Sequence, residues 1–81
     1  MDSPFYFDGT VYQSEGDERA HFEWMQRIPC VRDVRGQGTR VFLTIEEGEV
    51  TADDVRELGA IYRRYGGDTT QLARLNGNKN A

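Results

Sequence analysis

The stretch from Val50 to Tyr65 constrains the fold of this chain more than any other. Thr51 stands where a helix N-cap belongs, and Asp54 follows three residues later at the capping-box position. Val50 and Val55 flank the cap at the spacing of a hydrophobic staple. Val55, Leu58, Ile61, Tyr62 and Tyr65 then recur at steps of three and four, which lays one apolar stripe along a helix. Gly66 and Gly67 end it, because glycine enters the left-handed conformation after a helix without a steric penalty. A helix with one apolar face must bury that face, so the remaining chain is expected to supply a sheet to receive it.

With 81 residues there is room for a single core, read here as one α/β domain over 1–75 followed by a disordered tail over 76–81. Apolar residues make up 37% and charged residues 30%, so the stability margin is thin and a homodimer would widen it. A net charge of −4 disfavours general binding to nucleic acid or to an anionic membrane surface. The lone Cys30 excludes an intramolecular disulfide and fits a reducing compartment. No apolar run is long enough for a signal peptide or a membrane span, and a cytoplasmic protein is expected.

Phe5 to Tyr12 is aromatic and β-branched, as strands are. Its Asp8-Gly9 pair makes either a miniature hairpin or a bulge, and one interrupted strand is the preferred reading. Ser14 and Asp17 are alternative caps for a helix from about Asp17 to Ile28, with Phe22, Met25 and Ile28 facing inward, Ala20 beneath them and Trp24 at the border. Pro29 closes that helix. Val31–Arg35 and Thr39–Ile45 form a hairpin around Gly36-Gln37-Gly38. Strand alternation sends Thr39, Val41, Leu43 and Ile45 to one face and Arg40, Phe42 and Thr44 to the other. Asp68 and Gln71 repeat the capping spacing, so Thr69 to Leu75 is expected as a short last helix leaning on the core through Leu72 and Leu75. The fold class is therefore α+β in the order β-α-β-β-α. Its three-stranded, mainly antiparallel sheet carries helices on one face, like a ferredoxin-like plait lacking its last strand.

Chemistry-bearing residues are scarce. His21 and Cys30 are the only pair suited to thiol catalysis, and no orienting third group is apparent, so a small thiol enzyme ranks third among the readings. His21 is read as a polar residue at a helix border. One histidine and one cysteine do not make a zinc site, and the acidic residues lack the alternation of a calcium loop, so neither metal nor cofactor is expected. The octet Arg35 to Phe42 is similar to the third-strand signature of RNA-recognition motifs at Arg35, Gly36, Gly38 and Phe42. Gln37 and Thr39 stand where two stacking aromatics belong.

Two surfaces remain as partner-binding candidates. On the outer sheet face, Phe42 and Arg40 are joined by Tyr6 and Arg35, a composition typical of interface centres. The competing reading has the last helix or the first strand covering Phe42. The second surface is the acidic run of Glu46, Glu47, Glu49, Asp53, Asp54 and Glu57, either a solvated loop or a docking patch for a basic protein. Asp53 and Asp54 also serve the helix start, which leaves Glu46, Glu47, Glu49 and Glu57 as the candidate binding residues.

The strings Ile28-Pro29-Cys30-Val31, Val41-Phe42-Leu43-Thr44-Ile45 and Asp54-Val55-Arg56-Glu57-Leu58, with Arg64-Tyr65 and Asp68 to Leu72, resemble small uncharacterised bacterial proteins. That resemblance implies no activity and no site residues. The expected function is a small non-enzymatic bacterial binding module acting through protein–protein contact, of inhibitor or immunity type; an RNA-binding plait is the alternative.

Overall fold

The computed structural model describes residues 3–75, so the tail expected over 76–81 lies outside the described residues. The elements run β1 (Phe5–Asp8), α1 (Glu15–Gln26), β2 (Val31–Gln37), β3 (Arg40–Ile45) and α2 (Ala52–Tyr65). Short 3-10 segments occupy Glu47–Glu49 and Thr69–Arg74. The sheet is antiparallel in the order β1-β3-β2. A ferredoxin-like plait without its last strand has this order, and the fold is the α+β arrangement that the sequence predicts.

In α2 every local expectation holds. The Thr51 hydroxyl accepts from Asp54 N–H and the Asp54 carboxylate accepts from Thr51 N–H, each at 3.1 Å. Gly66 closes the helix at φ 73°. Leu58, Ile61 and Tyr62 are fully buried in one core with Phe5, Phe7, Val41 and Leu43 from the sheet, Met25 from α1 and Ile28 just beyond it.

Elsewhere the structure corrects or decides local readings. β1 stops at Asp8: Gly9 makes one last bond to the neighbouring strand, its N–H to Thr39 O at 2.9 Å, and its φ of 66° turns the chain out of the sheet. Residues up to Tyr12 are neither a strand nor a hairpin arm. Of the two candidate caps for α1 it is Ser14 that accepts, from Asp17 N–H at 3.1 Å. The helix ends at Gln26, two residues short of Ile28, because Pro29 disfavours helical geometry just before it. Its inner stripe is rotated: His21, Met25 and Ile28 are buried at steps of four and three, Phe22 is half-buried and Ala20 is exposed. In the hairpin, β2 runs on to Gln37 and only Gly38 has positive φ, 62°, so the turn is the two residues Gly38-Thr39. The octet from Arg35 to Phe42 thus straddles the hairpin and does not lie on the third strand. Finally, the last helix is a 3-10 segment ending at Arg74, although Asp68 caps it and Leu72 and Leu75 are buried as expected.

Candidate functional site

Where the C-terminal end of α1 meets the start of α2, an open cleft of about 690 Å³ forms. Its apolar lining is Trp24, Ile28 and Pro29. Arg27 from the C-cap of α1, Arg32 from β2, and Glu49, Asp53 and Glu57 line it as well. The Trp24 indole N–H donates to Glu57 Oε1 at 3.2 Å, which ties α1 to α2 across 33 positions and fixes the ring as a wall. Asp53 is paired with Arg56. Asp54 is almost completely buried beneath, and its carboxylate serves the helix cap.

The residues of the acidic run make different contacts. Glu49 and Glu57 line the cleft, whereas Glu47 bonds Arg74 Nε at 3.0 Å on the 3-10 segment. Glu46 is exposed, and its N–H donates to Cys30 O at 2.8 Å. Trp24, Arg27 and Arg32 were not legible as site residues in the sequence. They become neighbours only when α1 packs beside α2, and the one local hint is a tryptophan at a helix border.

The outer sheet face does bring Tyr6, Phe42, Arg40 and Arg35 together. Tyr6, Phe42 and Arg35 are register partners across the three strands. The Tyr6 and Phe42 rings lie 5.7 Å apart and tilted, and the Arg40 guanidinium sits 5.0 Å from the Tyr6 ring centre. Both rings are half-buried, so the first strand does partly cover Phe42. Each arginine has an acid 3.5 Å away, Asp8 for Arg40 and Asp33 for Arg35, which leaves the face locally neutral.

His21 and Cys30 are both fully buried, in different settings. His21 stacks on Tyr65 with ring centres 4.0 Å apart, meets Phe7 edge-on, and shares a 2.7 Å hydrogen bond between Nδ1 and the Tyr12 hydroxyl. Its Nε2 is buried without a hydrogen-bond partner, and burial lowers its pKa to about 4. The expectation of a border residue is therefore overturned: His21 is a neutral core side chain. Burial, with the neighbouring Asp54, pushes the Cys30 thiol up to about 12, so it stays protonated at neutral pH. Among the described residues no three His, Cys, Asp or Glu side chains group as metal ligands, and no helix is long and apolar enough to cross a membrane.

No protein-family model, no curated protein and no solved structure matches this chain.

Proposed function

We propose that the protein is a non-enzymatic binding module acting through protein–protein contact, in the manner of an inhibitor or immunity protein, and that its cleft receives a basic partner. The observation that carries this reading is the cleft itself: an apolar lining whose indole is hydrogen-bonded to Glu57, with carboxylates from α2 and the 3-10 segment before it. A basic side chain of the partner would lie over Trp24 and meet Glu49 and Glu57, while the aliphatic part of its stem covers Ile28 and Pro29. Arg27 and Arg32, which also line the cleft, suit a partner surface carrying both signs, while the carboxylates disfavour a polyanion. A thiol this strongly protonated and a histidine held neutral in the core lend nothing to a nucleophilic mechanism.

The test is affinity capture from the native host with the parent and a Glu49→Gln/Glu57→Gln variant, at low and high salt. The captured partner is then titrated against the emission of Trp24, the one tryptophan of the chain. Loss of capture in the variant and at high salt, with an emission shift in the parent, is expected. Equal recovery by both proteins at both salt concentrations would remove the cleft from the interface.

One observation favours the second reading, an RNA-binding plait: an aromatic pair on adjacent strands of the uncovered face. Arg40 already occupies the Tyr6 ring, however, and Asp8 and Asp33 cancel the arginines that would meet phosphates. A gel shift with single-stranded RNA at low salt decides, since phosphate-driven binding is strongest there.

A further inference from the structure

The two edges of the sheet differ. Gly9 N–H bonds Thr39 O, so alternation along β1 leaves Tyr6 and Asp8 as the residues whose main chain faces outward. The Tyr6 N–H is already taken by Gln71 Oε1 at 2.9 Å, and Pro4 has none to offer. The β1 edge is blocked at Tyr6. On the other side, Gln37 and Arg40 flank the two-residue turn, and the pair closing such a turn exchanges main-chain hydrogen bonds. Gln37, Arg35 and Asp33 therefore address β3, and Gly36 and Val34 turn their N–H and C=O groups outward. Beside this open edge Val34 and Phe22 are only half-buried, with Phe22 over Gly36, where an added Cβ would stand 3.9 Å from its ring.

Charge selects what can pair here. A second β2, antiparallel about a two-fold axis perpendicular to the sheet, can meet the first in few registers. Centred on Asp33 it sets Asp33 against Asp33, and centred on Arg35 it sets Arg35 against Arg35. Centred on Val34, it makes Val34 a hydrogen-bonded pair with itself and sets each Asp33 opposite an Arg35 in the close, non-hydrogen-bonded position. The repulsive registers lie on either side of the attractive one. Protective edge charges need only repel; here Asp33 and Arg35 alternate in sign at the spacing of two that a self-complementary pair requires. The bulge at Arg32 limits the ladder to the segment from Asp33 onward.

We propose that β2 pairs with β2 of a second copy of this chain, antiparallel about a two-fold axis at Val34, so that each Asp33 faces the Arg35 of the other copy. The pairing joins two three-stranded sheets into one of six strands and covers Val34 and Phe22. It does not rest on the cleft reading, because self-association and partner capture are separate measurements.

The experiment is sedimentation of the full chain over a concentration series, with folding checked by circular dichroism. The parent is expected to dimerise. Asp33→Arg and Arg35→Asp each place like charges opposite one another twice, and each should sediment with half the parent mass. Mixing the two variants restores both attractive contacts and should return the parent mass. Val34→Pro removes an outward N–H without touching the bonds to β3, and should also give half the mass. A parent that is monomeric at every concentration overturns the proposal and returns the edge to solvent or to a strand of another protein. So does a mixture that stays monomeric, or a dimer that survives both charge variants and is lost on Phe42→Glu, which would place self-association on the outer sheet face.

Discussion

The Gln71 side-chain carbonyl accepts the Tyr6 main-chain N–H at 2.9 Å across 65 positions of sequence, and thereby stands in for the strand that β1 lacks. The same oxygen accepts the Tyr62 hydroxyl at 2.9 Å, so one amide serves both the sheet edge and the centre of α2. Gln71→Ala leaves the buried Tyr62 hydroxyl unpaired and the Tyr6 N–H without its partner, and should cost about 1–3 kcal/mol in urea denaturation. Tyr6 should then exchange its amide hydrogen faster than Phe7, whose main chain faces β3. An unchanged midpoint would mean that water replaces the glutamine at no cost.

Stability should fall as the pH drops from about 6.5 toward 4. His21 is buried neutral, with a folded pKa of about 4 against 6.5 unfolded, so in that window the unfolded chain binds more protons. The contribution is complete above 6.5, declines below it and is lost once the pH passes the folded value; its size is about 3 kcal/mol. Asp17 is held below the usual carboxylate range by Gln13 N–H and the Tyr65 hydroxyl, so its own loss comes at lower pH, below that window. Urea titrations from pH 4 to 7 should therefore show a slope that His21→Phe flattens. Equal slopes in parent and variant would assign the acid sensitivity to carboxylates.

Gly67 is a packing glycine, and the sequence alone shows it only as a helix stop. A Cβ there would lie 2.7 Å from the Tyr62 ring and 2.8 Å from Phe7, while one at Gly66 meets nothing within 4 Å. Gly67→Ala should destabilise by about 1–3 kcal/mol through overpacking. Gly66→Ala should cost about 1 kcal/mol, from the left-handed backbone alone. Thermal melts of the two variants check the order, and a milder effect at Gly67 would show that the aromatic pair yields.

α2 is the hub of the core. Thr51→Ala removes one half of the capping box and should cost about 1 kcal/mol. Leu58, with none of its surface exposed, should cost roughly 2–5 kcal/mol on truncation to alanine. Melting of Leu58→Ala at the parent temperature would contradict its burial.

The sequence by itself determined α2, its caps, the alternation of β3 and the order of elements. Each of these depends on residues within a few positions of one another, where periodicity and capping chemistry act directly. Tertiary structure decided the rest. His21 scores as polar in any local reading, yet it is buried because Tyr12, Tyr65 and Phe7 converge on it from three other parts of the chain. The acidic run reads as one patch, but folding sends Glu57 to Trp24 and Glu47 to Arg74. Of the two sheet edges, Gln71 blocks one at Tyr6, and the other carries charges of alternating sign. A side chain's partner across the core is set by how helices and strands pack, and no spacing along the chain encodes that distance.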